Sequence, residues 1–307
     1  MGNPRDISFA GAGVTLAGSL TVPDTGAPAP GVVMVGGSGP SDRNNGTHFP
    51  AIRAHLVEAG IAVLSYDKRG VGGSSGDWLA STPADLAADA AAALDFLRGR
   101  PGVRAAVTGL FGHSEGGGVV LRAATLRDDV PWVVTNGTPG MTYGVQDRYA
   151  LATWLRGTEG VTEEGVAAAL AAYDRVVEAG RRDADLAEAN RQVEAAATPP
   201  EFAEYWADVD ERLWECIKRK LDHDPVPDAL RLRCPQLAIF GGADELVPVA
   251  DSVELFTAAA THPDRDRRAT LTVEVFPGAN HRVLVDGGHL APGYLDTLTR
   301  WITAHVG

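Results

Sequence analysis

Strand-length apolar runs alternate with helix-length segments along most of this chain, and that alternation restricts the fold more than any other feature. Gly31-Val32-Val33-Met34-Val35 and Ile61-Ala62-Val63-Leu64-Ser65-Tyr66 are almost unrelieved by polar residues. Strands of that kind are covered on both faces, as parallel strands are. Between them, residues 48–60 place Phe49, Ile52, Leu56 and Val57 at helical spacing, with Gly60 as the stop. An alanine-rich helix is expected over 83–98, with Leu86, Ala90, Ala93, Leu94 and Leu97 inward. Further helices follow over 115–126 and 292–305. Strands are expected at 105–111, 132–135, 236–240 and 271–276. Near the start, Ile7-Ser8-Phe9 and residues 14–22 alternate as half-buried strands do. The order implies an α/β fold, a mostly parallel central sheet flanked by helices.

Residues 141–230 interrupt this order. They contain 5 of the 36 glycines, too few for a run of loops, and read as helices throughout. Thr162-Glu163-Glu164 starts one helix, and Pro199-Pro200 opens another, whose expected stripe is Phe202, Trp206, Val209, Leu213, Ile217 and Leu221. The expected organisation is a core of residues 1–140 and 231–307, with 141–230 inserted as a helical cap (lid). Such a cap would sit over the C-terminal edge of the sheet, where ligands of open α/β sheets bind.

The chain carries 27 Lys+Arg against 40 Asp+Glu, a formal net charge of −13. That balance argues against nucleic-acid and anionic-membrane partners, which need clustered cations. The 141–230 segment holds 19 of the acids and 10 of the bases. Solvated helix faces account for most of this excess. The sharper alternative is an entrance that favours neutral or cationic substrates. Cys216 and Cys234 suggest reduced thiols rather than a disulfide framework, and neither offers a metal-type spacing. Met1-Gly2-Asn3-Pro4-Arg5-Asp6 has no basic stretch leading into an apolar run, and no run reaches the roughly 18 residues of a spanning helix. A cytoplasmic monomer or homodimer is expected.

Gly112-His113-Ser114-Glu115-Gly116-Gly117 lies where the strand ending at Phe111 must turn into the next helix. A serine on such a turn presents its hydroxyl above the sheet, and the flanking glycines let strand and helix cross closely. A serine nucleophile needs a base, and the base needs an orienting carboxylate. Asp244 follows the strand at Phe240, and His281 follows the last strand, giving the order Ser114, Asp244, His281. The rivals are Glu245, whose side chain should point away from its neighbour's, and His289, which lies nearer the final helix. The developing oxyanion needs donors. The backbone N–H of Glu115, at the start of a helix, is one. The glycine-rich loop Gly36-Gly37-Ser38-Gly39-Pro40 supplies the other, with Ser38 preferred over Gly37 and Gly39.

On these residues, with Tyr66-Asp67-Lys68-Arg69-Gly70-Val71-Gly72-Gly73-Ser74 and Gly39-Pro40-Ser41-Asp42-Arg43-Asn44, the chain resembles the α/β-hydrolase superfamily. Within it the similarity is greatest to the carboxylesterase-like branch whose helical cap follows the sixth strand. Many relatives have His-Gly before the oxyanion donor, where this chain has Gly36-Gly37, so a side chain that would support the loop is missing. Asp67, Arg69 and Ser74 are expected to hold their own loop. Candidates for substrate contact are Gly37, Gly39, Arg43, Asn44, His113, Trp154, Trp206 and Trp214. Arg43 and Asn44, with Asp42, could equally brace the oxyanion loop, and His113 is expected to pack beneath the turn instead of acting as base. At helical spacing the cap aromatics, Tyr173 and Tyr205 included, are more often packing residues.

The expected function is a serine hydrolase cleaving a carboxylic ester or lactone through an acyl-enzyme. It would act on a small-molecule acyl substrate and need neither cofactor nor metal. The same machinery serves a thioesterase, with a carrier-protein-bound substrate, or a lactone-forming cyclase. An aminopeptidase or amidase, or a silent ligand-binding protein of this fold, stands further off. Epoxide and haloalkane hydrolysis use an aspartate nucleophile on this fold, so Ser114 counts against both.

Overall fold

The computed structural model describes residues 3–194 and 198–307. Met1, Gly2 and residues 195–197 of the helical interruption lie outside it. Eight strands form one sheet: β1 (Arg5–Ala10), β2 (Thr15–Thr21), β3 (Ala29–Val35), β4 (Ala62–Tyr66), β5 (Val103–His113), β6 (Val133–Asn136), β7 (Gln236–Gly241) and β8 (Leu271–Phe276). Their spatial order is β1-β2-β4-β3-β5-β6-β7-β8. The β1–β2 hairpin is antiparallel and joins β4 antiparallel, while every pair from β4 to β8 is parallel.

The unrelieved apolar runs are explained by burial on both faces. Val33 and Val35 of β3, Leu64 of β4, and Ala238 and Phe240 of β7 face one apolar cluster. They meet α2 (Pro83–Arg98), α3 (Glu115–Thr125) and α10 (Val249–Thr261) there. The alternate residues Val32, Met34, Val63, Leu237 and Ile239 face α1 (Phe49–Glu58) and α11 (Tyr294–Ala304). At the start of α2, Thr82 accepts from the Asp85 N–H and Asp85 accepts from the Thr82 N–H, a reciprocal cap that fixes where the helix begins.

Among the described residues six helices separate β6 from β7: α4 (Tyr143–Gly157), α5 (Glu163–Arg181), α6 (Leu186–Glu194), α7 (Pro200–Trp206), α8 (Glu211–Lys220) and α9 (Val226–Arg231). The first five enclose their own apolar cluster, which includes Leu151, Leu155, Val166, Phe202, Trp206 and Trp214, while Ala229 of α9 joins the cluster under α2, α3 and α10. The helix expected to run on from Pro199 is broken after Trp206. Asp210 accepts from the Leu213 N–H at 2.7 Å and so caps α8 as a separate helix. Periodicity alone did not reveal the break, because the apolar stripe continues on both sides of it. Beyond β8 a short hairpin, β9 (Leu284–Val285) with β10 (His289–Leu290), precedes α11. No helix among the described residues is long and apolar enough to cross a membrane.

Candidate active site

Strand register brings the chemistry to one edge of the sheet. Val35 of β3 pairs with Gly112 of β5, so the loop after β3 lies beside the turn after β5. Ser114 sits on that turn with φ +55° and ψ −123°, a conformation an L-residue avoids. Such a residue costs about 1–3 kcal/mol and persists only where its surroundings hold it. Here the Ser114 N–H donates to the Asn136 carbonyl at 2.8 Å, and its own carbonyl accepts from the Gly117 N–H at 2.9 Å and from Thr138 Oγ1 at 3.2 Å. The two glycines of the motif are required by close approach. A Cβ on Gly112 would lie 2.1 Å from the Gly116 carbonyl oxygen, and one on Gly116 would lie 2.4 Å from that of Val35.

Asp244 and His281 come from loops after β7 and β8 that are bonded to each other. The Ala243 N–H donates to the Ala279 carbonyl and the Gly242 N–H to the Phe276 carbonyl, each at 2.8 Å. Asp244 is buried, and its Oδ2 lies 2.7 Å from His281 Nδ1. Its Oδ1 accepts from the Leu246 and Val247 N–H groups at 2.8 and 3.0 Å. The carboxylate is therefore fixed before it meets the imidazole. His281 and Ser114 line one cavity, with an empty volume of about 850 Å³, together with Ser38, Asp147, Trp154, Tyr205 and Leu246. Glu245 is exposed beside Asp244, and His289 is exposed on the hairpin.

A second cavity, about 570 Å³, shares Ser38, Ser114, Tyr143 and Gln146 with the first and extends along α3 past Gly118, Val119, Leu86 and Met141. Ser38 and Glu115 both line it. Among the described residues, neither the Ser38 nor the Glu115 N–H donates to a protein acceptor. Two unpaired amides thus flank the serine. Gly37 is pressed against the turn, since a Cβ there would lie 3.2 Å from Ser114 Cβ, and Gly39 takes a positive φ of +73°.

The loop that lacks a supporting histidine is held instead by Lys68 and Asn45. Lys68 Nζ donates to the Gly37 carbonyl at 2.6 Å and to Glu115 Oε2 at 2.8 Å. In a trans peptide the C=O and N–H point in opposite directions, so a donor on the Gly37 carbonyl orients the Ser38 N–H. From α8, Lys220 Nζ reaches Glu115 Oε1 at 2.5 Å. Burial would push the Glu115 pKa up, but the two ammonium groups outweigh it and hold the carboxyl at about 2. For Lys68 burial wins and its pKa falls, whereas the Lys220 pKa is raised because attraction to Glu115 and Cys216 outweighs its burial. Asn45 Oδ1 accepts from the Gly37 N–H at 3.2 Å and Ser41 Oγ at 2.9 Å, which turns its amide nitrogen to His113 Nδ1 at 2.9 Å.

Several residues expected near substrate are engaged elsewhere. Arg43 pairs with Asp67 and Asp6, and Asn44 accepts from Arg53 at 2.7 Å, so both serve the loop rather than the cavities. His113 is buried beneath the turn, wedged between the tilted His48 and His281 rings at centroid distances of 4.6 and 5.0 Å. Burial carries the His48 pKa down to about 3 and holds His113 well below the usual imidazole range. Trp206 and Trp214 pack against each other inside the helical insertion, with their indole N–H groups bonded to Asn190 Oδ1 and the Ala184 carbonyl. Trp154 alone of the three tryptophans lines a cavity above the serine. Asp67, Arg69 and Ser74 brace their loop through Arg43, Asp89 and the Ala17 N–H.

Sequence reasoning gives no site role to Asn45, Lys68, Asp147 or Lys220, which the structure brings to the site. Only Lys68 left a signal, a lysine two residues past a buried strand, inside the Tyr66–Ser74 motif.

The family described as X-Pro dipeptidyl-peptidase (S15 family) matches residues 12–289. The chain belongs to that family. Esterase EstD of Thermotoga maritima is 26% identical over 97% of this chain and 67% of its own length. Among solved structures, a DcsB complex with its substrate analogue superposes with a TM-score of 0.66 at 18% identity, covering 99% of this chain and all of that one. The Pyrococcus furiosus esterase Pf2001 gives 0.66 at 16% identity, over the whole of this chain and 92% of the other. At such identities the superpositions speak for the α/β-hydrolase fold shared by this S15-family chain.

Proposed function

We propose that the protein is a serine hydrolase that cleaves carboxylic esters through an acyl-enzyme. The observation carrying this reading is the 2.7 Å Asp244–His281 pair, whose imidazole shares one cavity with a strained Ser114. Ser114 Oγ attacks the ester carbonyl while His281 Nε2 takes its proton. Asp244 holds the Nδ1–H and so keeps Nε2 free to accept. The Ser38 and Glu115 N–H groups receive the oxyanion. His281 then returns the proton to the leaving alcohol, and in the second half it deprotonates the water that releases the acid. The name of the Thermotoga relative supports ester substrates.

Fluorophosphonate labelling tests the mechanism. The wild type should label stoichiometrically, and Ser114→Ala should not. A labelled Ser114→Ala variant, or an inert wild type, overturns it. The family's description supports a second reading, cleavage after an X-Pro dipeptide. It wins if kcat/KM on X-Pro anilides exceeds that on esters of matched acyl groups. We place the enzyme in the cytoplasm, a reading supported by the free thiols of Cys216 and Cys234 and tested by cell fractionation.

A further inference from the structure

Asp147 is a carboxylate without a cation, set in the cavity above Ser114 and His281. Tyr205 Oη donates to its Oδ1 and Tyr173 Oη to its Oδ2, each at 2.8 Å. The neighbouring Arg148 turns away to Asp174 at 2.7 Å, and among the described residues no Lys, Arg or His pairs with Asp147. Burial raises its pKa, and only the two phenol hydrogen bonds oppose that rise. A buried charge is normally matched by an opposite one. Two phenols orient this carboxylate but do not neutralise it.

The walls around Asp147 are aromatic. Tyr143, Trp154 and Tyr205 line the same cavity, with the Trp154 and Tyr205 rings 5.8 Å apart. Trp154 is 39% exposed and Leu246 47% exposed, so apolar surface stands open at the rim. An acid among aromatic faces suits an alkylated ammonium group, which gains from both the charge and the ring quadrupoles. The helical segment around this cavity holds 19 acids against 10 bases, a field of the same sign. The buried ammonium of Lys220 lines the other cavity and is already committed to Glu115.

His281 decides which half of an ester would lie here. It lines the Asp147 cavity and not the one along α3. The base that returns a proton to the leaving group faces the alcohol, so the acyl chain takes the apolar cavity of Leu86, Val119 and Met141. We infer that the substrate is an ester of an amino alcohol, with its ammonium group held by Asp147 against Tyr205 and Trp154 and a small apolar acyl group along α3. The assignment of alcohol and acyl sides rests on the hydrolase reading above. The cation site does not.

The test compares choline butyrate with 3,3-dimethylbutyl butyrate, which replaces the charged nitrogen by carbon at equal size. Wild type should prefer the choline ester by about tenfold or more in kcat/KM. Asp147→Asn should bring the ratio to within about twofold of unity, and Trp154→Leu at the rim should cut it by roughly threefold. Calorimetry with free choline and free 3,3-dimethylbutanol reads the site without catalysis. Tighter binding of choline by wild type is expected, and it decides the matter even if Asp147→Asn does not fold. Equal binding of the two alcohols, or equal turnover of the two esters, overturns the inference while leaving the hydrolase intact. Choline binding with neither ester hydrolysed supports the cation site and counts against the hydrolase reading instead.

Discussion

Replacing Lys68 by Met keeps the aliphatic stem and deletes the ammonium that reaches both Gly37 and Glu115. Two consequences separate cleanly. For stability, breaking a buried ion pair outright costs about 3–5 kcal/mol. Glu115 keeps Lys220 at 2.5 Å, so the loss should stay near or below the lower end, about 2–3 kcal/mol. For catalysis, the Gly37–Ser38 peptide loses the donor that fixes its plane, and the Ser38 N–H loses its aim. Deleting an oxyanion donor costs about 10²–10³ in kcat. A donor that remains but is no longer held should cost less, about tenfold. The assay is steady-state kcat and KM on a p-nitrophenyl ester, with the affinity of a boronic acid that mimics the tetrahedral intermediate. We expect kcat and boronate affinity to fall together, and KM to stay within about twofold. Lys220→Met removes an ammonium from the same carboxylate without touching Gly37, so it should lose less in kcat than Lys68→Met. If Lys68→Met melts earlier but its folded fraction turns over at the wild-type rate, Lys68 is a structural ion and the reasoning fails.

Two further outcomes follow from the same geometry. In Asp244→Asn the amide oxygen should stay with the Leu246 and Val247 N–H groups, turning the NH₂ to His281 Nδ1. That tautomer puts the ring proton on Nε2, where the base must accept, and kcat should fall about 10⁴-fold with little change in melting temperature. A loss under about tenfold would show that the pair does not orient the base. Glu115 has a folded pKa of about 2 against an ordinary 4.5, so its stabilising contribution is complete above 4.5 and fades as pH falls toward 2. The stability gap between wild type and Glu115→Gln, read by urea unfolding, should therefore narrow across that window, and a constant gap would contradict the assignment.

The sheet was legible because parallel strands announce themselves. Val32 to Val35 and Leu237 to Phe240 are apolar at every position, and each position is indeed buried on one face or the other. The Ser114 turn was legible for a steric reason, since Gly112 and Gly116 are forced by contacts under 2.5 Å. The break between α7 and α8 was not, because an aspartate cap inside a continuous stripe looks like one more polar position. Nor were Asp147 and Lys220. Each is one charged residue on a helix crowded with charge, and only the fold shows which of them turn inward. For Arg43 and Asn44 the sequence left substrate contact and loop bracing equally open, because adjacency in sequence says nothing of direction; their bonds to Asp67 and Arg53 favour bracing.

Helices α4 and α8 meet the core through polar contacts aimed at the loops of the candidate site, whereas α9 packs Val226, Ala229 and Leu230 into the apolar cluster of the core. The apolar cluster of α4 to α8 is their own, distinct from the two that sandwich the sheet. From α4, Gln146 donates to the Leu246 carbonyl at 2.7 Å and Tyr149 to the Asp244 carbonyl at 3.3 Å, both in the loop that carries the proposed triad acid. From α8, Lys220 reaches Glu115, whose backbone N–H is one of the proposed oxyanion donors. Helices seated only on a shared apolar core could shift in sequence without disturbing the serine. Seated in this way α4 and α8 cannot, because the residues that anchor them also hold the Asp244 loop and the first turn of α3. Changes in the insertion that leave its own core intact but remove Gln146, Tyr149 or Lys220 should therefore register first in kcat and only second in melting temperature.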